Sequence, residues 1–149
     1  ISECCQQDHQ NNPDTLKAWL GNKNPENVAA WFTAPANHSL VAEIDGALVG
    51  VALLTQAGKL SLCYVLPEAQ GRGIGRALLH GLEAQARSWG IGTVKMNSTT
   101  TASGFFAHHG YALAGREKSC FGLECDFLWK KLDGEAAGVR AKRFCNCGS

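Results

Sequence analysis

The chain has little that would place it in a membrane or on a nucleic acid. No apolar run approaches the ~20 residues of a membrane-spanning helix, and residues 1–12 lack the apolar stretch of a signal peptide. Lys and Arg number 14 against 13 Asp and Glu, so a formal charge of +1 gives no general field for attracting nucleic acid. A hydrophobic share of 45% excludes intrinsic disorder. We predict a soluble, cytoplasmic protein without a nucleic-acid or membrane partner.

Disulfide and metal frameworks are also missing. The seven cysteines are odd in number, Cys4 and Cys5 are adjacent, Cys63 stands alone, and no pair has the spacing of zinc ligands. We therefore predict reduced thiols and no metal site. The 149 residues correspond to one domain. A domain of this size buries roughly 68–70% of the surface that its unfolded chain exposes, so its core needs no disulfide or metal to be stable.

Helix and strand signals alternate along the chain. Asn12 and Asn24 each precede a proline and an acidic residue, which predicts a helix N-terminus at both places. Apolar residues at helical spacing predict helices over residues 77–89 and 100–109. Alternating patterns predict strands over residues 40–44, 47–55, 59–66, 93–97, 111–116 and 125–132. We predict a single domain over residues 1–133 and a flexible tail over residues 134–149.

A glycine-rich segment separates the third strand from the helix at 77–89. Gly71, Gly73 and Gly75 let the backbone approach a ligand closely. The first N–H groups of a helix, with the dipole's charge of about +0.5, favour a phosphate or pyrophosphate, and Arg72 and Arg76 would add to this. No Gly-Lys-Ser/Thr follows, which excludes a P-loop, and Arg76 replaces the third glycine of a dinucleotide fingerprint. The alternative is that these glycines merely permit tight packing.

The flanking residues carry a family resemblance. Residues 64–79 read YVLPEAQGRGIGRALL, which resembles the acyl-CoA loop, Gln/Arg-x-x-Gly-x-Gly/Ala, of the GNAT superfamily of N-acetyltransferases. Residues 41–50 resemble the hairpin of that family, and residues 99–111 resemble its last helix. The resemblance implies an α/β GNAT fold: a mixed, largely antiparallel sheet with a central parallel strand pair splayed apart, and helices on both faces. It also implies a first strand around residues 2–6.

The resemblance further implies acetyl-CoA as cosubstrate, with its pantetheine arm between the strands at 59–66 and 93–97. Backbone groups of Cys63, Tyr64 and Val65 would bind the arm and the thioester carbonyl. Thr99 replaces the usual Asn and would bind the arm or N-cap its helix. The complete set of implied contacts is Cys63, Tyr64, Val65, Gln70, Gly71, Arg72, Gly73, Ile74, Gly75, Arg76, Thr99 and Phe106.

Acyl transfer from a thioester to an amine needs a base, an oxyanion site and an acid for the leaving thiolate. Glu43 is our preferred base, and Tyr64 would act through a bound water; the alternative for Glu43 is an exposed strand residue. Phe106 stands where many members of the family carry a proton-donating tyrosine. His108 and His109 lie two and three residues further along the helix, about 200° and 300° around its axis from Phe106, and we expect them to face elsewhere.

Two functions are consistent with these residues. The first is transfer of acetyl from acetyl-CoA to a primary amine of a small molecule or peptide, by direct attack in a ternary complex. The second is a catalytically weakened CoA-binding or partner-binding module. An acyl-enzyme on Cys63 would need a neighbouring base, which the local sequence does not supply. The aromatic residues Trp19, Trp31 and Phe32 would line an acceptor pocket or pack in the core. A homodimer is one assembly we consider.

Overall fold

The computed structural model describes residues 1–2, 5–118 and 123–132. Its helices are α1 (Gln6–His9), α2 (Pro13–Leu20), α3 (Pro25–Thr33), α4 (Ile74–Ser88) and α5 (Ser103–His108). Its strands are β1 (Asn37–Ile44), β2 (Ala47–Thr55), β3 (Leu60–Val65), β4 (Thr93–Thr99), β5 (Ala112–Lys118) and β6 (Glu124–Lys131). The predicted tail at residues 134–149 lies outside the described residues, so the domain limit stays a prediction.

Two asparagine side chains begin α2 and α3, which confirms the predicted helix N-termini. Asn12 Oδ1 accepts hydrogen bonds from the backbone N–H groups of Asp14 and Thr15 at 3.0 and 3.3 Å. Asn24 Oδ1 accepts one from the N–H of Asn27 at 2.8 Å. These bonds satisfy amides that have no partner within the helix, and each such cap contributes about 1 kcal/mol.

The predicted first strand at residues 2–6 is wrong where the structure describes it. The Cys5 N–H donates to the carbonyl of Ile1 at 3.0 Å, which is the spacing of a helical turn, and Gln6 begins α1. Residues 6–8 are all polar, and a helical turn satisfies their backbone groups locally without a partner strand. The helix predicted to begin at residue 100 begins instead at Ser103, because a turn from Thr99 to residue 102 precedes it.

The six strands form two three-stranded antiparallel sheets, in the orders β1-β2-β3 and β4-β6-β5. Among the described residues, an isolated parallel bridge between Lys59 and Lys95 joins the two sheets, and the Lys95 N–H donates to the Gly58 carbonyl at 2.9 Å. Beyond this bridge β3 pairs with β2 and β4 pairs with β6. β3 and β4 therefore separate along their length. This confirms the predicted mixed sheet with a splayed central parallel pair.

Gly58 sits at the junction of the two sheets. Its φ is +80°, and a Cβ atom at this position would lie only 2.7 Å from the carbonyl oxygen of Thr93. A side chain would therefore clash with the backbone of β4. The strands can meet at this point only because residue 58 is glycine.

Helices cover both faces of the first sheet, as predicted. Leu78 and Leu82 of α4 pack in one core with Leu54 of β2. Gly50 of β2 lets α4 come close, since a Cβ atom there would lie 3.1 Å from Leu78 Cδ1. Side chains alternate along a strand, so Val51 points to the opposite face, where α2 and α3 lie.

Within the described part of the chain, no helix is long and apolar enough to cross a membrane. The same residues contain no group of three or more His, Cys, Asp or Glu side chains that could hold a metal ion. Cys5, Cys63 and Cys125 form no disulfide bonds among the described residues. The remaining cysteines, Cys4, Cys120, Cys145 and Cys147, lie outside them.

Candidate active site

The separation of β3 and β4 leaves a narrow cavity in the sheet, which we call the gap. It has a volume of about 50 Å³. Cys63 and Tyr64 line it from β3, Thr99 lines it from β4, and Phe106 lines it from α5. Four residues that the sequence named as ligand contacts therefore meet at one place. Buried Trp19 of α2 also lines the gap.

The glycine loop follows β3 directly, at the end where the two strands have separated. A 3-10 turn over Pro67–Ala69 leads into it. The side-chain amide of Gln70 donates to the Val65 carbonyl at 3.1 Å and so ties the loop to the end of β3. Gly73 is the N-cap residue of α4, and no side chain caps that helix. The first amides of α4 are therefore left for an anion, with Arg72 and Arg76 exposed beside them.

The three loop glycines have different physical roles. Gly71 and Gly73 have φ values of +79° and +80°, and a Cβ atom on either would meet no described atom within 4 Å. The backbone conformation, rather than packing, requires glycine at these two positions. At Gly75 a Cβ atom would lie 3.3 Å from Phe105 Cζ. The tight-packing interpretation thus applies to Gly75, next to which Ile74 packs against the core.

A serine that the sequence did not single out also lines the gap. Ser61 of β3 is 8% exposed, and its hydroxyl has no hydrogen-bond partner among the described residues. Burying a hydroxyl in this way costs about 1–3 kcal/mol. The hydroxyl of Ser98, across the gap on β4, donates instead to the Thr99 carbonyl at 2.9 Å. A polar residue at position 61, between two leucines of a buried strand, was the available sequence signal.

The thiol of Cys63 is poorly suited to nucleophilic attack. Burial raises its pKa to about 12, because a thiolate is poorly solvated in the gap. Near neutral pH the group stays protonated, and the thiolate is the reactive form. The protonated thiol argues against an acyl-enzyme on Cys63.

Phe106 is 5% exposed and packs edge-on against the ring of Tyr111, with centroids 5.8 Å apart. The Tyr111 hydroxyl donates to Glu83 Oε1 at 3.1 Å, and Lys130 Nζ donates to both carboxylate oxygens at 3.1 and 3.2 Å. Burial, and then the nearby Glu83 carboxylate, raise the pKa of Tyr111. Its hydroxyl is bonded to Glu83, and Tyr111 is not among the residues that line the gap.

The two predicted bases have different positions. Glu43 is exposed on β1, opposite Leu48 of β2, and does not line the gap. Tyr64 lines both the gap and the larger cavity beside it. Among the predicted alternatives for the acid, His108 is exposed and His109 packs on the Phe105 ring at 4.7 Å. As expected, neither histidine lines the gap.

Thr99 ends β4 and does not cap α5. Its hydroxyl lies 3.4 Å from that of Thr101, which in turn donates to Asp8 Oδ2 at 2.7 Å. The N-cap residue of α5 is Ala102, and no side chain bonds to the helix there. The N-cap alternative for Thr99 is therefore wrong, and its place beside the gap leaves ligand contact as the remaining prediction.

A larger cavity lies on the face of the first sheet opposite α4, and we call it the groove. Its volume is about 440 Å³. Trp31 and Phe32 of α3 line it, together with Lys23 from the segment between α2 and α3 and Tyr64 from β3. Trp31 and Phe32 therefore line a cavity, and its use as an acceptor pocket stays a prediction. Trp19, in contrast, is buried and packs edge-on against the ring of His9, with centroids 6.4 Å apart.

Known proteins resemble this chain in sequence. The sequence model of the acetyltransferase (GNAT) domain family matches residues 5–125. An uncharacterized N-acetyltransferase of Mycobacterium bovis is 32% identical over 113 residues, which cover 69% of this chain and 71% of the relative. The family model spans the residues that line the gap and those of the glycine loop.

Solved structures agree at the level of the fold. A GCN5-related N-acetyltransferase from Rhodopseudomonas palustris superposes with a TM-score of 0.76 at 24% identity, over 87% of this chain and 81% of that one. The putative acetyltransferase YncA from Salmonella typhimurium, solved with its cofactor acetyl-CoA, has a TM-score of 0.63 at 26% identity and covers 79% of both chains.

Proposed function

The chain belongs to the GNAT acetyltransferase family, and on that basis we propose that it transfers an acetyl group from acetyl-CoA to a primary amine of a small molecule or peptide. The observation that carries the proposal is the gap between β3 and β4 with the glycine loop at its open end. An extended pantetheine arm fits an unpaired strand edge, since backbone groups there hydrogen-bond as in β-augmentation. A structural neighbour solved with acetyl-CoA supports the choice of cosubstrate.

The binding residues divide between the two parts of the site. The loop from Gln70 to Arg76 receives the pyrophosphate through its amides and two arginines. Backbone groups of Cys63, Tyr64 and Val65 receive the pantetheine arm and the thioester oxygen. The hydroxyl of Ser61 is unpartnered among the described residues, and it gains a partner when the gap is filled.

The reaction proceeds by direct attack within the ternary complex. The amine nitrogen attacks the thioester carbonyl carbon, the C–S bond breaks, and the thiolate of CoA leaves. Backbone N–H groups at the gap stabilise the oxyanion. Tyr64, which contacts both cavities, holds the water that takes the proton from the amine; Glu43 is less well placed for this, because its exposed side chain does not line the gap. A thiol with a pKa of about 8.5 leaves near neutral pH without a dedicated acid.

The first experiment is titration of the full chain with acetyl-CoA by calorimetry, followed by an assay of free CoA thiol with a panel of amines. We expect binding, and CoA release that depends on the amine. Absence of heat at millimolar acetyl-CoA contradicts the proposal. Cys63 forms no disulfide bond among the described residues, which is compatible with a cytoplasmic location. Light scattering would test the separate prediction of a homodimer.

The second candidate is a CoA-binding module with little turnover, and the observation that favours it is Phe106. A positioned acid is typically worth about 10²–10⁴ in rate, and phenylalanine has no proton to donate. This candidate predicts acetyl-CoA binding without acyl transfer to any amine in the panel. Phe106→Tyr separates the two, because raised turnover in this variant shows that the remaining machinery is competent.

A further inference from the structure

The walls of the groove are almost wholly apolar. Trp31 and Phe32 contribute aromatic surface, and Val28 and Leu62 contribute aliphatic surface. The volume of about 440 Å³ falls within the roughly 300–1,000 Å³ of pockets that hold small organic ligands. Aromatic walls bury a flat, apolar ligand well, because ring pairs add an oriented attraction to the area they remove from water.

The ammonium group of a lysine enters this apolar setting. Lys23 lines the groove and is half-buried. Its Nζ donates to the carbonyl of Trp19 at 3.0 Å and to Asn22 Oδ1 at 3.1 Å. Both acceptors are neutral, so one of the three N–H donors and the positive charge are left for a further partner. Burial lowers the pKa of Lys23, because the charged form is poorly solvated, and a nearby carboxylate would offset that cost.

Acidic side chains are missing from the groove. Among the described residues, none of those that line it is Asp or Glu. A ligand with several ammonium groups would find no counter-charge on these walls and would be repelled by Lys23. Polyamines and other polycations are therefore poor ligands, whereas an anionic substituent meets a complementary charge.

The groove and the gap meet at Tyr64, which lines both cavities. An amine held in the groove therefore reaches the acetyl group past this side chain. We infer that the acceptor is a primary amine on a flat apolar body that also carries one carboxylate, which pairs with Lys23. This inference rests on the proposed transferase function and names the substrate class for the same site.

The test compares amines that differ only in the carboxylate. The full chain is assayed with acetyl-CoA and phenylalanine, with 2-phenylethylamine, and with spermidine as the polycation. The measured quantity is the ratio of kcat/KM for phenylalanine to that for 2-phenylethylamine. In Lys23→Met we expect this ratio to fall about tenfold, the scale of one charge-assisted hydrogen bond. Lys17→Met is the control, since it removes the same charge from an exposed position on α2.

The inference is overturned if spermidine has the highest kcat/KM, or if the ratio falls equally in the Lys17 and Lys23 variants. Thermal melts of each variant show whether it is folded, and Lys23→Gln provides a second substitution should Lys23→Met lose its fold. Binding of N-acetylphenylalanine and of N-acetyl-2-phenylethylamine is measured by calorimetry, which needs no turnover. Tighter binding of N-acetylphenylalanine than of N-acetyl-2-phenylethylamine, with the difference lost in Lys23→Met, supports the inference even if no amine is acetylated. Absence of acetylation counts against the proposed function instead.

Discussion

Replacing Gly73 with alanine tests whether the loop backbone binds the coenzyme. Gly73 has a φ of +80°, and an added Cβ atom would meet no described atom within 4 Å. Steric clash therefore does not contribute to the loss of stability in Gly73→Ala. The free energy of unfolding falls only because an L residue must adopt a left-handed backbone conformation, which costs about 1–2 kcal/mol. For a domain of this size each 1 kcal/mol lowers Tm by about 2–4 °C.

Gly46 provides a matched control. It also has a positive φ, +78°, and open space at the Cβ position, but it lies in the turn between β1 and β2, away from the loop. Gly46→Ala and Gly73→Ala should therefore lose similar stability. Only Gly73→Ala should also misdirect the amides at the start of α4. Losing one hydrogen bond to a charged phosphate weakens binding by about 10- to 100-fold.

Calorimetric titration with acetyl-CoA and thermal unfolding of the apo protein provide the two measurements. We expect equal shifts in Tm for the two variants and a higher Kd for acetyl-CoA in Gly73→Ala alone. Equal Kd values would refute the assignment of the loop amides to the pyrophosphate. An unchanged Tm for Gly73→Ala would refute the strain argument itself.

Three further substitutions address the interior. Ser61→Ala should leave the apo Tm unchanged or higher, because the hydroxyl has no described partner, while reducing the rise in Tm that acetyl-CoA produces; a lower apo Tm would contradict this. Cys63→Ala should retain most kcat, since burial raises the thiol pKa to about 12. Mass spectrometry of the unsubstituted protein with acetyl-CoA should find no acetylated Cys63, and an acetyl adduct there would contradict this. Glu83→Leu should cost about 3–5 kcal/mol in urea unfolding, because it strands Lys130 in a largely buried pair, and Lys130→Met in the same background should recover part of the loss.

Features governed by neighbours in the chain were predictable from sequence. The caps at Asn12 and Asn24 depend on amides two or three residues away, and the glycine loop depends on a strand ending just before a helix begins. Such local rules predicted the two asparagine-capped helix starts and the hairpin correctly, and the anion site stays a prediction. The splayed pair was predicted only through the family resemblance, because strand alternation does not report which strands lie side by side.

Long-range contacts set the rest. Nothing near Ser61 in sequence indicates that its hydroxyl lacks a partner, since that depends on β4 and α2 across the gap. The ion pair between Lys130 and Glu83 joins residues 47 positions apart. The helical turn at Gln6 replaced a predicted strand, because residues 2–6 carry no alternation that would specify pairing.

The contact at Gly58 sets the angle between the two three-stranded sheets. With the two half-sheets joined through the bridge beside it, a small rotation there is amplified along β3, whose far end lies roughly 20 Å away at about 3.3 Å per residue. A tilt of about 3° displaces that end by roughly 1 Å, and misplacement on this scale can cost about 100-fold in rate. In the proposed ternary complex, the distance between the acetyl group and the amine therefore depends on a backbone contact that is remote from both.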